Sequence, residues 1–374
     1  MPSPEDYPEG RLFSLDVLRG LDMFYLVVVS PVLGRLFRAA GVNSAVRDFF
    51  CVHPWEGFTL YDLIMPLFIF MCGAAIPYAL RSRLDAEGRP TEAFHRHVWS
   101  RFALLWVLGM LSQGDLQSLD IHKLSPYNNT LQTIAVGYVV AAYIMLVRSW
   151  TVRIAVPCLL AAAYGLVVHF GGDYTQDGNI TMAVELKILR CLLPADNAQT
   201  ANVVKYGYTW FLPSMIFPVI ALAGAYATEI LRSKVGDWQK ARNLGLFGVG
   251  ALGLGFVLSL MGVKVVKHIF TVSFTFEAIG WSVLLLALLY VMTDIWRWRK
   301  GTGILLLFGQ FALTAYMYKQ LVEEGVVTFV KRNFSGVLRF FPGEWYFVAL
   351  AAILGLATIC FVVIRRRLGR WKAR

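Results

Sequence analysis

The stretch GFTLYDLIMPLFIFMCGAAIPYAL, residues 57–80, decides the fold class. After Asp62 no charged residue interrupts a run that consists mainly of Leu, Ile, Met, Phe and Ala. A helix needs roughly 20 such residues to cross the hydrocarbon core of a bilayer. The stretch therefore predicts a membrane-spanning helix.

Nine further stretches of this kind occur along the 374-residue chain. The ten predicted spans are residues 14–38, 58–81, 98–116, 127–148, 151–171, 209–232, 242–262, 270–294, 302–322 and 344–365. The segment 323–343 is mixed in character and is expected to form a short re-entrant or interfacial helix. The sequence thus predicts an all-α, polytopic membrane helix bundle of about ten transmembrane helices, with residues 1–374 forming a single integral-membrane domain.

The composition agrees with a membrane protein. Hydrophobic residues make up 57% of the chain and charged residues only 16%, whereas soluble domains carry about 25% charged residues. The five cysteines show no paired spacing, so we expect neither a disulfide framework nor a zinc site. The chain contains no phosphate-binding glycine loop, no HExxH pair and no GxSxG elbow, which argues against the usual ATPases, zinc proteases and serine hydrolases.

The formal charge of the chain is +11, and most of its basic residues lie in the loops between the predicted spans or at their ends. With the N-terminus inside, 21 of the 35 basic residues fall on the cytoplasmic side and 12 on the other. This is the bias of the positive-inside rule, so the basic residues indicate a bilayer rather than nucleic acid as the partner. Both termini are predicted to be cytoplasmic, in the inner or plasma membrane if the chain is bacterial.

The longest outer loop, residues 172–207, contains the sequence MAVELKILRCLL (182–193). Its apolar residues have helical spacing, which favours an amphipathic helix on the membrane surface. A plain connector is the alternative that the sequence leaves open.

The first predicted span contains three ionisable residues, Asp16, Arg19 and Asp22. Each charge at mid-membrane costs about 2.5–3.5 kcal/mol on insertion scales, so such residues face a partner or a cavity. Asp16 and Arg19 are three residues apart and are expected to touch on a helix. They form either an ion pair near the cytoplasmic end or the polar wall of a substrate cavity, which makes both candidate substrate-binding residues.

A second polar cluster begins with HPWEG at residues 53–57 and ends at Asp62. The imidazole of His53 titrates near neutrality and is able to accept a proton from an amine or a hydroxyl. Asp62 follows at the start of the second span, where a carboxylate would orient that ring. We therefore predict His53 and Asp62 as catalytic residues, with Trp55 and Glu56 as substrate contacts; an idle, exposed histidine is the alternative.

Two more groups of polar residues lie at the starts of spans. Asn128, Asn129 and Gln132 precede or enter the fourth span, where they either cap the helix or bind sugar hydroxyls. Lys267, next to His268, marks the start of the eighth span and either anchors it at the interface or contacts substrate. All four are predicted substrate-binding residues.

At these clusters the chain resembles a known family. The strings RLFSLDVLRGLDMF (11–24), HPWEGFTLYDLIMPLFIFMCGAAIPYAL (53–80), NNTLQTIAVGY (128–138) and KHIFTVSF (267–274) are similar to the heparan-α-glucosaminide N-acetyltransferase family. The closest likeness is to bacterial members with a DUF5009-type domain, and it runs in order along nearly the whole chain.

The resemblance implies a membrane acyltransferase that takes acetyl from cytoplasmic acetyl-CoA and delivers it to the amino group of an amino sugar or surface glycan on the outer face. In this reading His53 matches the active histidine and Asp62 the acid that follows it. Asp16 and Arg19 match the LDxxRG pair. Acetyl-CoA is the co-substrate, no metal is expected, and Asn129 or Lys267 would donate to the developing oxyanion. A homodimer is left open.

One departure from the family pattern affects binding. Thr133 stands where many relatives have an arginine, which puts one anionic contact in question. The main alternative function is a transporter or flippase for a glycan or lipid-linked sugar, which would also place polar residues within the membrane. A structural or sensory membrane protein without turnover is the third class.

Overall fold

The computed structural model describes residues 12–52, 54–81, 83–113, 116, 120–333 and 335–371. Within these ranges the chain is helical and contains no β-strand; an isolated bridge joins Leu84 and Pro90. In chain order the α-helices are α1 (Phe13–Phe24), α2 (Ser30–Ala39), α3 (Ser44–Cys51), α4 (Ile64–Ala74), α5 (Ile76–Arg81), α6 (Glu92–Ser112), α7 (Thr130–Ile144), α8 (Trp150–Phe170), α9 (Ile180–Leu192), α10 (Ala198–Tyr206), α11 (Phe217–Arg232), α12 (Asp237–Leu260), α13 (Val272–Tyr290), α14 (Gly303–Gln310), α15 (Ala312–Asn333), α16 (Ser335–Leu338) and α17 (Glu344–Trp371).

Among the described residues, seven helical segments are long and apolar enough to cross a membrane. They are Phe13–Ala39, Leu60–Ala79, Trp150–Phe170, Leu212–Arg232, Asp237–Leu260, Val272–Ile295 and Glu344–Arg366. The predicted all-α class is therefore confirmed, and the seven apolar helices are consistent with the predicted multi-pass membrane bundle. The count of ten and the cytoplasmic termini stay predictions.

The other three predicted spans are also helical but shorter or more polar. The span 98–116 lies largely in α6, whose first turns are polar, and the span 127–148 contains α7, which has 15 residues. The span 302–322 is divided between α14 and α15 because the helix is interrupted at Phe311, where ψ is 27°.

The segment 323–343 contains the end of α15, which continues to Asn333, and the short helix α16 (Ser335–Leu338); its expected re-entrant or interfacial position stays a prediction. Apolar residues of this extension, including Val330, pack against Leu350 and Leu354 of α17. Side-chain burial against α17 therefore stabilises the extension of α15 to Asn333.

By their contacts the residues form two compact units. The first unit comprises Met1–Pro54, Thr59–Ile64 and Leu285–Arg374, and the second comprises Trp55–Phe58 and Met65–Leu284. The prediction of one acyltransferase domain over the whole chain stays a prediction.

In the first unit, α1 packs directly on α14. A Cβ atom added at Gly20 would lie 1.7 Å from the carbonyl oxygen of Leu305, so only glycine permits this approach of the two backbones. Beside the contact, Phe13 and Val17 bury their side chains against Leu306. Such small-residue contacts are typical of helix packing in membranes.

The first span contains a π-helical segment, Tyr25–Val29, between α1 and α2. Pro31 follows this segment near the start of α2. Because proline has no backbone N–H, it removes the hydrogen bond to the carbonyl four residues earlier and disturbs the helix there.

In the second unit, α4 and α11 approach in the same way at Gly73, where a Cβ atom would lie 1.7 Å from the carbonyl oxygen of Ala221. The helix predicted at residues 182–193 is confirmed as α9, whereas its position on the membrane surface stays a prediction. Its apolar face, including Met182 and Leu189, packs against Val203 of α10. This face therefore lies against protein.

Candidate functional site

The predicted contact in α1 is confirmed. Arg19 Nη1 lies 3.2 Å from Asp16 Oδ1, with the Asp16 side chain buried and the guanidinium about one quarter exposed. One turn further on, Asp22 is also buried, and its Oδ2 atom has no hydrogen-bond partner among the described residues. Two carboxylates and a guanidinium thus lie within one membrane-spanning helix. This placement is compatible with either interpretation of the pair, a structural ion pair or a cavity wall.

His53 lies outside the described residues, whereas the predicted acid, Asp62, is fully buried in the short 3₁₀ segment Leu60–Leu63. Asp62 Oδ2 accepts hydrogen bonds from the backbone N–H of Thr59 at 2.9 Å and from its hydroxyl at 2.8 Å. This is a capping box, which satisfies backbone donors at the helix start. The arrangement fixes the carboxylate in one orientation.

Thr59 also connects this turn to the histidine segment. Its hydroxyl oxygen lies 3.0 Å from the carbonyl oxygen of Val52, the residue that precedes His53 in the chain. One buried side chain therefore holds both the carboxylate of Asp62 and the backbone next to His53. These contacts all lie in the first unit.

The other predicted site residues belong to the second unit. Glu56 forms an ion pair with Lys264 at 2.8 Å, but both side chains are about half exposed. Pairs of this kind contribute little to stability, roughly 0–1 kcal/mol. Lys267, three residues later, is only 5% exposed.

Trp55 is fixed in an aromatic stack that sequence reasoning missed. Its indole N–H donates to the carbonyl oxygen of Tyr174 at 2.8 Å, and its ring stacks on His268 with centroids 4.7 Å apart. Tyr208 also packs on His268, and the centroids of these two rings are 4.3 Å apart. His268 is 7% exposed. The sequence gives no signal for this burial beyond the position of His268 next to Lys267.

The stack leads to the predicted amide cluster. Tyr208 stacks on Trp210 at 5.9 Å, and the indole N–H of Trp210 donates to Asn128 Oδ1 at 3.0 Å. The structure thus connects Trp55 with Asn128 through three rings. Neither contact follows from spacing in the sequence.

Asn129 and Gln132 have structural partners. Asn129 caps α7, because its Oδ1 accepts from the backbone N–H of Leu131 at 2.8 Å while its amide donates to Ser112 at 2.7 Å. Gln132 is fully buried and accepts from the backbone N–H of Asn128 at 3.0 Å. Of the two roles left open for this group, capping is confirmed for Asn129, and sugar binding stays a prediction.

Glu185 is a further buried acid that sequence reasoning missed. Its side chain is fully buried in the middle of α9, and Oε2 accepts from the backbone N–H groups of Trp210 and Phe211, both at 2.9 Å. Oε1 has no hydrogen-bond partner among the described residues. The signal was present in the sequence, since Glu185 lies three residues after Met182 and four before Leu189, on the apolar face of the helix.

Burial raises the pKa of Glu185 to about 7, although the hydrogen bonds from Trp210 and Phe211 oppose this. Between its ordinary value near 4.5 and about 7, the folded protein keeps a proton that the unfolded chain releases. Stability must therefore fall as the pH rises through this window, by up to about 3 kcal/mol in total.

We expect the replacement Glu185→Gln to remove this fall in stability with rising pH. The melting temperature of the unmodified protein should fall more steeply between pH 5 and pH 8 than that of the variant. Thermal unfolding in detergent across this range measures the difference. Asp177→Asn, which changes an exposed carboxyl before α9, is the control and should leave the slope unchanged. Equal slopes for Glu185→Gln and the unmodified protein would contradict the prediction.

Among the described residues, no group of three or more His, Cys, Asp or Glu side chains is arranged to hold a metal ion. All five cysteines are free in the structure.

No protein-family model matches the chain, and no curated protein matches it. The family resemblance therefore depends on the sequence motifs alone.

Proposed function

We propose that the protein is a transmembrane acyltransferase that moves acetyl from cytoplasmic acetyl-CoA to the amino group of an amino sugar or glycan on the outer face. The observation that supports this best is the position of Asp62. Its carboxylate is buried and oriented by Thr59, whose hydroxyl also reaches the carbonyl of Val52 beside His53. A fixed carboxylate near a histidine segment suits general-base chemistry.

In the proposed reaction, His53 accepts a proton from the acceptor amine as the nitrogen attacks the thioester carbonyl. A C–N bond forms, the C–S bond breaks, and the departing CoA thiolate takes up the proton from His53. Asp62 orients the ring and stabilises its cationic form.

A covalent route uses the same residues. An imidazole nitrogen of His53 attacks the thioester first, CoA leaves, and the amine then takes the acetyl group from the histidine.

The direct test uses purified protein, isotopically labelled acetyl-CoA and a panel of amino sugars, with products identified by mass spectrometry. We expect the label on the amine of at least one sugar and none in reactions without protein. Absence of any labelled sugar across the panel would argue against the proposal.

Binding of acetyl-CoA separates this function from transport. A ligand that binds the folded state at 100 times its Kd stabilises it by about 2.7 kcal/mol. We therefore expect acetyl-CoA to raise the melting temperature by several degrees. A glycan transporter or flippase should show no such shift with acetyl-CoA and should keep working after loss of His53.

A further inference from the structure

A basic pocket of about 430 Å³ lies in the first unit. It is formed by α2, the end of α3, the 3₁₀ segment Leu60–Leu63 and α15. Four cationic side chains contribute to its lining, namely Arg35, Arg38, Arg47 and Lys319. Sequence reasoning used the three arginines only to assign the sides of the membrane.

The charges of Arg35 and Arg38 are not neutralised by an ion pair within the part of the chain that the structure describes. Arg47 pairs with Asp48 at 2.8 Å. Among the described residues, no carboxylate lies within 4.0 Å of the guanidinium groups of Arg35 and Arg38. Lys319 donates a hydrogen bond to the carbonyl oxygen of Leu26 at 3.0 Å. A concave site with unbalanced cationic charge concentrates anions.

The pocket adjoins the predicted catalytic residues along the chain. Val52, which precedes His53, and Tyr61, which precedes Asp62, both contribute to its lining. Thr59 bonds to the carbonyl of Val52 on one side and to Asp62 on the other. An anion held in the pocket would therefore contact the two segments that carry the predicted histidine and acid.

We propose that this pocket binds the phosphate group of a soluble phosphate ester. Guanidinium groups match phosphate oxygens with two parallel hydrogen bonds, and phosphate carries close to two negative charges at neutral pH. The volume lies at the lower end of the range for small-molecule sites. It suits a phosphorylated monosaccharide better than the whole of CoA.

Two sources of the phosphate are possible, the acceptor sugar and the CoA nucleotide. The predicted topology places Arg35, Arg38 and Arg47 on the outer side, opposite the side at which CoA arrives, so we assign the phosphate to the acceptor. This assignment rests on the proposed function, whereas phosphate binding itself does not. Arg38 lies in the last turn of α2, where a cation is also favoured by the helix dipole.

Cys51 provides a reporter, because it lines the same pocket and is partly exposed. With the exposed Cys158, Cys191 and Cys360 replaced by serine, anionic and cationic methanethiosulfonates of similar size are compared. Burial raises the pKa of the Cys51 thiol, but both reagents need the same thiolate, so the ratio of their rates cancels this effect.

We expect the anionic reagent to modify Cys51 at least about tenfold faster, as a positive potential concentrates anions. In Arg35→Gln/Arg38→Gln this ratio should fall close to one. The control Arg332→Gln/Arg339→Gln removes two exposed charges of the same unit that do not line the pocket, and it should keep the ratio. Equal rates in the parent protein would overturn the proposal.

Protection of Cys51 then identifies the ligand. Glucosamine 6-phosphate should protect at a concentration at least tenfold lower than glucosamine, and Arg35→Gln/Arg38→Gln should abolish this difference. Stronger protection by CoA than by dephospho-CoA, without an effect of the sugar phosphate, would support phosphate binding but assign it to the donor. Because protection needs no turnover, it is independent of whether acetyl transfer occurs.

Two further outcomes would overturn the proposal. In the first, inorganic phosphate, glucosamine 6-phosphate and CoA all fail to protect Cys51. The melting temperatures of the two double variants must then show that both are folded. The other is protection by phosphatidylglycerol in nanodiscs but by none of these soluble phosphates, which would indicate a lipid site.

Discussion

The variant His53→Ala should lose at least about a thousandfold in the rate of acetyl transfer while keeping its fold. A general base contributes typically 10²–10⁴ to the rate, and loss of a covalent carrier would cost at least as much. Initial rates with labelled acetyl-CoA and the best amino sugar measure the effect. Melting temperature and gel-filtration profile establish that the variant is folded.

His122→Ala is the matched control for this experiment. The ring of His122 is half exposed and bonds to the carboxylate of Asp196 at 2.8 Å, so its loss should leave transfer within about twofold of the parent. A His53→Ala rate within tenfold of the parent would remove His53 from the mechanism. Mass spectrometry of the protein after incubation with acetyl-CoA alone separates the two routes, because only the covalent route adds an acetyl group to His53.

Hydropathy predicted the fold because membrane insertion depends mainly on composition over about 20 residues. All ten stretches contain helix, and seven meet the criteria for crossing a membrane within the described residues. Whether the remaining three stretches form continuous spans could not be judged from composition, since the limits of their helices depend on local backbone geometry. The break at Phe311 is an example, because the only mark in the sequence is Gly309, two residues earlier.

The predicted contacts that the structure confirms are local. Asp16 and Arg19 are three residues apart on one helix, and Asn129 caps the helix that it begins. Both follow from helical periodicity and from the unsatisfied donors at a helix start. Spacing along the chain determines such pairs whatever the tertiary structure.

The contacts that were missed join distant parts of the chain. Trp55 stacks on His268, and Glu185 accepts from the backbone of Trp210, 25 residues away. No periodic pattern brings such residues together, because their approach depends on how whole helices pack. The basic pocket was missed for the same reason, since Arg35 and Lys319 are separated by most of the chain.

The variant Asp62→Asn should separate the chemical role of Asp62 from its structural one. Asparagine retains an oxygen that can accept from the backbone N–H and the hydroxyl of Thr59, so the capping box should persist. The negative charge that would stabilise a cationic His53 is lost. We therefore expect the melting temperature to change little and the rate of acetyl transfer to fall by about 10²–10⁴.

Thr59→Ala produces the opposite pattern. It removes the hydroxyl that reaches Asp62 and Val52 but leaves the charge of Asp62 in place, so it should cost about 1 kcal/mol of stability, as for other lost caps, with a smaller loss of activity. The pH–rate profiles add a second readout, since only Asp62→Asn should move the acid limb to lower pH, where an uncompensated imidazolium loses its proton. If Asp62→Asn melted early and yet kept near-parent turnover, Asp62 would serve the turn alone and His53 would have to act without a carboxylate partner.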